Sequence, residues 1–234
     1  MVISTILVPQ GAEYGAVCRG LNQLAGKRPG VVALPVGVKP VNEYLETWSK
    51  SQDFGTKIQS EVLVMGLCGS LRQQYKVGDI VLYENCVYHQ KRQECSHQLN
   101  THIQSTVNSQ PSTVNIIKSL TSDRIICSAA EKLDLGATLN VDVVDMEGFA
   151  VLDFFHKMGV EVAILRVVSD DCHHDIPNLT TAINPNGSLK PLSLAKIFIQ
   201  QPIAATRLIR GSLQALKVLE QVTKSLFYSD NLKE

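Results

Sequence analysis

Two acidic strand ends carry most of the chemical suggestion in this sequence. Glu147 follows the apolar run Val141–Val144 and Asp145, and Asp170 follows the longer run Val160–Val168, with Ser169 before it and Asp171 behind it. Ligands bind at the carboxyl ends of parallel strands, so two carboxylates at one such sheet edge are the first sign of chemistry. A third acid, Glu13, stands just after the short strand Ile6–Val8 and opens a helix. Glu13 also has a bland reading, because a carboxylate in the first helical turn complements the helix dipole.

The elements that must position these acids follow from residue spacing. Between Glu147 and Asp170, Phe149, Leu152, Phe155 and Met158 recur on one helical face, so the region reads as a strand–helix–strand unit of the parallel type. Val31–Leu34, Glu61–Met65 and Ile80–Tyr83 read as buried strands, and Asp123–Cys127 as a further short one. Ser128 and Glu131 form a capping box for the next helix. Residues 98–113 are polar, contain Pro111 and read as an exposed loop, as do residues 171–191 with His173 and His174. Two helices end the chain, and Ile209, Leu213, Leu216, Leu219, Val222 and Leu226 form one stripe on the last, suited to core packing or a subunit contact. Strands alternate with helices throughout, which predicts an α/β fold. No linker divides residues 1–234, so one domain is expected.

Several function classes are disfavoured. The 22 basic and 22 acidic residues cancel, so bulk charge gives no reason to expect a nucleic-acid or membrane partner. The opening apolar run is too short for a signal peptide or a membrane span, which points to the cytoplasm. The six cysteines have no CxxC pair and read as reduced, mostly buried side chains. Cys86, His89, Cys95, His97 and His102 invite a zinc reading, but their spacing matches no ligand template, so no metal is assigned. Gly66 and Gly69, on either side of Leu67 and Cys68, would let a ligand approach the backbone; as a phosphate loop the pattern is weak.

In their order, four segments resemble the nucleoside phosphorylase/nucleosidase superfamily, which includes purine nucleoside phosphorylases and 5′-methylthioadenosine/S-adenosylhomocysteine nucleosidases. They are Ile6 to Glu13, MGLCGSL with KVGDIVL (Met65 to Leu82), VVDMEGFAV (Val143 to Val151) and LRVVSDD (Leu165 to Asp171). The resemblance implies a three-layer fold, with a central mixed, mostly parallel sheet flanked by helices. It implies that Glu147 accepts hydrogen bonds from the two adjacent ribose hydroxyls and that Met146 packs against the sugar. Asp170, oriented by Ser169, would protonate the departing purine, and Glu13 would activate water. Asp170 would need its acidity weakened by burial or by neighbouring Asp171. Cys68 and Gly69 are candidate substrate contacts. Arg166 shares the strand face of Val168 and Asp170 and reads as structural.

Two departures shape the expected activity. The positions that would carry the phosphate-binding arginine and serine are Val64 and Leu67, and a phosphate site without cations is hard to build, which favours hydrolysis over phosphorolysis. Where a nucleosidase of the methylthioadenosine type stacks an aromatic on adenine, this chain has Ile125 and Ile126, which can sandwich a base without stacking it. Asp170 favours a purine with an exocyclic amine. The sequence thus points to a cofactor-independent nucleosidase acting on a purine nucleoside or a related metabolite, with water as co-substrate. A phosphate-dependent phosphorylase and a non-catalytic nucleoside binder are the alternatives. The resemblance also implies a homodimer or higher oligomer.

Overall fold

The computed structural model describes residues 3–26, 28–58, 60–108, 113–179, 182, 184 and 190–228. Eight strands form one mixed sheet. Its spine is β3, Glu61–Ser70, which pairs in parallel along its whole length with β8, Glu161–Asp170. From β8 the sheet continues to β4 (Ile80–Tyr88), β6 (Val114–Thr121) and β7 (Val143–Asp145), and β7 returns to β3, so these five strands close a ring. β1 (Thr5–Pro9) and β2 (Gly30–Leu34) extend the sheet from β3, and β5 (Lys91–Glu94) hairpins onto β4.

The closure leaves one gap. On the edge of β3 away from β8, β1 covers Val62–Val64 in parallel and β7 covers Gly69–Ser70 in antiparallel sense. Pairing therefore lapses between those two stretches. The carboxyl ends of β1 and β7 point into the gap from opposite directions. This corrects the parallel reading of the strand–helix–strand unit: β7 and β8 flank β3 on different edges and run antiparallel to one another. A regular helix spacing between two apolar runs is satisfied equally by either direction, because the intervening helix can cross the sheet or fold over its rim.

Helices cover both faces. α2 (Val38–Trp48), α3 (Gln52–Lys57) and α6 (Gly148–His156) share one apolar core with the sheet, including Leu45, Trp48, Phe54 and Phe155. α1 (Ala12–Asn22), α4 (His97–Asn108) and α8 (Pro202–Tyr228) share the other, through Val17, Ile103, Leu219 and Leu226. α5 (Ala129–Leu139) is capped by Ser128, whose hydroxyl accepts from Glu131 N, as the capping box requires. α7 (Pro191–Gln200) and the start of α8 stand at the rim, where Leu192, Ile199, Ile203 and Leu213 are exposed. No helix among the described residues is long and apolar enough to cross a membrane.

Three local expectations fail for physical reasons. The Gly66–Ser70 stretch is buried strand, since glycine loses its turn preference where β8 supplies a full hydrogen-bond ladder. Most of 98–113 is helix α4, whose apolar Leu99, Ile103 and Val107 stripe was masked by the polar residues between; Pro111 lies outside the described residues. Residues 123–128 are loop, and the strand is β6, just before them, whose mixed burial hides its pattern.

Candidate active site

Glu13 enters the gap from the first turn of α1, behind Gly11, whose φ of 96° turns the chain out of β1. Its Oε2 accepts from Leu67 N at 3.0 Å, a donor on the unpaired stretch of β3. Glu147, the N-cap residue of α6, enters from the other side and accepts from Gly37 N at 3.1 Å through Oε1. Between them lies Arg166, fully buried in β8. Its Nη2 donates to Asp145 Oδ2 at 3.1 Å and Glu147 Oε2 at 3.3 Å, and its Nη1 lies 3.8 Å from Glu13 Oε2. Asp145 is held in turn by Thr121 Oγ1 and the amide of Gly148.

One guanidinium thus serves three carboxylates. Burial raises Glu13 from 4.5 to about 8, with Arg166 opposing and Glu147 adding to the rise. Burial likewise raises Glu147 to about 7, again against Arg166 and with help from Asp145. For Arg166, burial disfavours its charge, but Asp145 and Glu147 outweigh that and raise its pKa. A buried arginine is tolerable only when paired this way, because an unpaired buried ion costs several kcal/mol. Arg166 Nη1 and Nε have no hydrogen-bond partner among the described residues. The 3.8 Å between Nη1 and Glu13 Oε2 is an ion-pair contact, too long for a direct hydrogen bond.

The glycines make this meeting possible. A Cβ on Gly66 would overlap Arg166 Nη1 and Glu13 Oε2, so this position must lack a side chain for the two to approach. A Cβ on Gly69 would lie 2.9 Å from Asp170 Oδ2. The spacing read as room for a ligand at the backbone also makes room for the site's own acids and arginine, and Gly69 itself lines the cavity.

Asp170 reaches the opposite wall through an irregularity. The β3–β8 register passes from Cys68↔Val168 to Gly69↔Asp170, so Ser169 is an extra residue and Asp170 is re-aimed beside Gly69. Ser169 Oγ lies 2.8 Å from Asp170 Oδ1 and 3.2 Å from Cys68 O. The other oxygen, Oδ2, is bonded to the ammonium of Lys132, a fully buried residue of α5. Asp171 turns to other partners: partial burial would raise its pKa, but bonds from His173 N and His174 hold it below its ordinary range.

All nine candidate residues, Glu13, Cys68, Gly69, Ile125, Ile126, Met146, Glu147, Ser169 and Asp170, line one cavity of about 340 Å³. Ile176, Leu179 and Leu208 close its apolar side, and Arg124 and Ser212 sit on its wall. The Cys68 thiol is buried, which raises its pKa and leaves it inert. None of His89, His97 and His102 is among the lining residues, and Cys86 and Cys95 are buried in a core cluster. Sequence reasoning saw Asp145 without giving it a role, read Arg166 as structural and passed over Lys132. For Arg166 there was a signal: a charge in the middle of the apolar run Val162–Val168 has to be paired. Lys132 gave none, since it sits among ordinary helix formers.

A model of the phosphorylase superfamily matches residues 21–188. No curated protein matches the sequence. The fold is similar to that of futalosine hydrolase from Helicobacter pylori strain 26695, with a TM-score of 0.70 and 18% identity over 96% of this chain and 97% of that one. It is also similar to 5′-methylthioadenosine/S-adenosylhomocysteine nucleosidase from Helicobacter pylori, with a TM-score of 0.69 and 18% identity over 96% and 97%. A mutant of that nucleosidase holding 5′-methylthioadenosine in its active site superposes with a TM-score of 0.67 at 16% identity, over 98% and 100%.

Proposed function

This chain belongs to the phosphorylase superfamily, and on that premise we propose that it hydrolyses the N-glycosidic bond of a purine nucleoside or nucleoside-like metabolite. The observation that carries the choice of water over phosphate is the set of partners around Arg166. Its guanidinium is shared among Asp145, Glu147 and Glu13, so its charge is already matched and it offers a phosphate dianion no free cation. Water, by contrast, needs no cation, and Glu13, which lines the cavity, is placed to take its proton.

In this reading Glu147 accepts hydrogen bonds from the two ribose hydroxyls, and Met146 packs on the sugar. The C1′–N bond breaks as its electron pair passes to the base, leaving oxocarbenium character on the sugar. Water attacks C1′ and gives a proton to Glu13, while Asp170 passes a proton to the leaving purine. Free base and reducing sugar are the products. With a pKa of about 8, Glu13 is close to the value at which a base is both available and strong near neutral pH. Ile125 and Ile126 face the base from a loop tied to the site by the Ile176 N to Cys127 O bond of 2.9 Å. The exposed apolar residues of α7 and α8 are compatible with assembly into a homodimer.

Base release from adenosine, inosine, guanosine and 5′-methylthioadenosine, followed chromatographically with and without phosphate, tests the proposal. At least one is expected to yield base and free sugar at a rate independent of phosphate. Absolute dependence on phosphate with formation of a sugar 1-phosphate refutes it.

A further inference from the structure

A base that leaves as an anion is a poor leaving group, and Asp170 is the acid placed to protonate it. Yet Asp170 is hydrogen-bonded to a cation. Lys132 has a side chain with 0% exposure, and its Nζ bonds to Asp170 Oδ2 and, at 2.9 Å, to Asp171 O. It is not among the residues lining the cavity. An ammonium so deeply buried needs a reason, because its desolvation alone disfavours it.

α5 is fixed tightly enough to hold that geometry. Its first amide, Ala129 N, donates to Asp175 Oδ1 at 2.7 Å, so its start is tied to the segment leaving β8. One turn beyond Lys132, Gly136 lies so close to the β3–β4 connection that a Cβ there would be 2.5 Å from Leu71 O. With Ser169 Oγ on Oδ1 and Lys132 on Oδ2, the Asp170 carboxylate has one orientation.

We propose that Lys132 is a positioning residue that also holds the proton Asp170 delivers to the departing base. The proposal rests on the nucleosidase reading. As the C1′–N bond breaks, a proton passes from Lys132 Nζ to Asp170 Oδ2, and the carboxyl so formed gives it to the basic ring nitrogen N7 of the purine. Lys132 becomes a neutral amine, Asp170 is again a carboxylate and the base leaves neutral. Lys132 recovers its proton from solvent after the products depart. Lysine suits this duty where arginine does not, because guanidinium does not release a proton in proteins.

The test compares a purine nucleoside that the wild type cleaves, inosine or adenosine, with the same nucleoside methylated at N7, which departs without being protonated. Lys132→Met and Lys132→Arg are expected to lose about 100-fold or more in kcat on the unmethylated substrate, the scale of general acid catalysis. Both are expected to stay within about threefold of wild type on the methylated one, where that acid has no task. Lys132→Met added to Asp170→Asn is expected to cost nothing further, since both act at one step. That double variant also leaves no buried charge without a partner, so it reports even if Lys132→Met alone folds poorly. Equal losses on both substrates, full activity of either single variant, or additive losses in the double variant overturn the proposal. Failure of the wild type on every substrate overturns the nucleosidase reading itself, and this proposal with it.

Discussion

Glu13→Gln separates the electrostatic cost of the site from its chemistry. The amide keeps an oxygen for Leu67 N and removes one of three carboxylates from around Arg166. The wild-type carboxyl has its pKa raised in the folded state, from 4.5 to about 8. Below 4.5 both folded and unfolded chains carry the proton. Between 4.5 and about 8 only the folded chain does, so this residue's contribution to stability falls as pH rises across that window and levels off above it. At about 1.36 kcal/mol per unit, the rise caps the loss at roughly 5 kcal/mol. The side chain is 23% exposed, and solvent screening reduces the expected figure to about 2–3 kcal/mol. Glu13→Gln should therefore match wild type near pH 4.5 and be more stable by that amount at pH 9, raising Tm by about 4–12 °C there. Denaturant melts of both proteins at the two pH values measure it. In the same protein kcat should fall about 10²–10⁴-fold if Glu13 is the proposed base. Equal stability at pH 9, or a gain of the same size at both pH values, refutes the placement of a costly carboxylate at this point.

Further outcomes follow from the same geometry. The kcat/KM of the wild type should climb with pH, steeply below about 7 while Glu147 and Glu13 both lose protons, less steeply to about 8, and then flatten; a profile that declines from pH 6 to 8 contradicts the roles given to both. Arg166→Met leaves Asp145 and Glu147 buried without their cation and should destabilise the fold by about 3–5 kcal/mol in a thermal or urea melt; a loss below about 1 kcal/mol argues that the cluster is solvated. Gly66→Ala should drive Glu13 and Arg166 apart and lower kcat at least about 10²-fold, and unchanged turnover shows that their approach is not needed.

Much of the fold was legible because burial imposes patterns: apolar β8 and the stripe on α8 announce themselves. Strand direction was not, since β7 spans only Val143–Asp145 and nothing in three residues tells whether they run with β3 or against it. The three acids were visible as strand-end and helix-start carboxylates. Their shared partner was harder to see, because Arg166 reaches Glu13 across 3.8 Å only where Gly66 leaves room, a contact between residues 153 positions apart in the chain. The glycine spacing was noticed and assigned to a ligand; Gly69 does line the cavity, and what the spacing did not show is that both glycines also leave room for neighbouring side chains. Lys132 was out of reach for the opposite reason: in sequence it looks like any solvated helical lysine, and only the close packing of α5 against the β3–β4 connection makes it buried.

The most direct measurement is turnover of a cleaved purine nucleoside in ¹⁸O-labelled water containing phosphate. Water activated by Glu13 as the nucleophile is expected to leave the label at C1′ of the sugar, with one free base released per labelled sugar and no sugar 1-phosphate. Unlabelled sugar 1-phosphate as the product would contradict it, and would mean that phosphate enters a cluster of three carboxylates sharing one guanidinium.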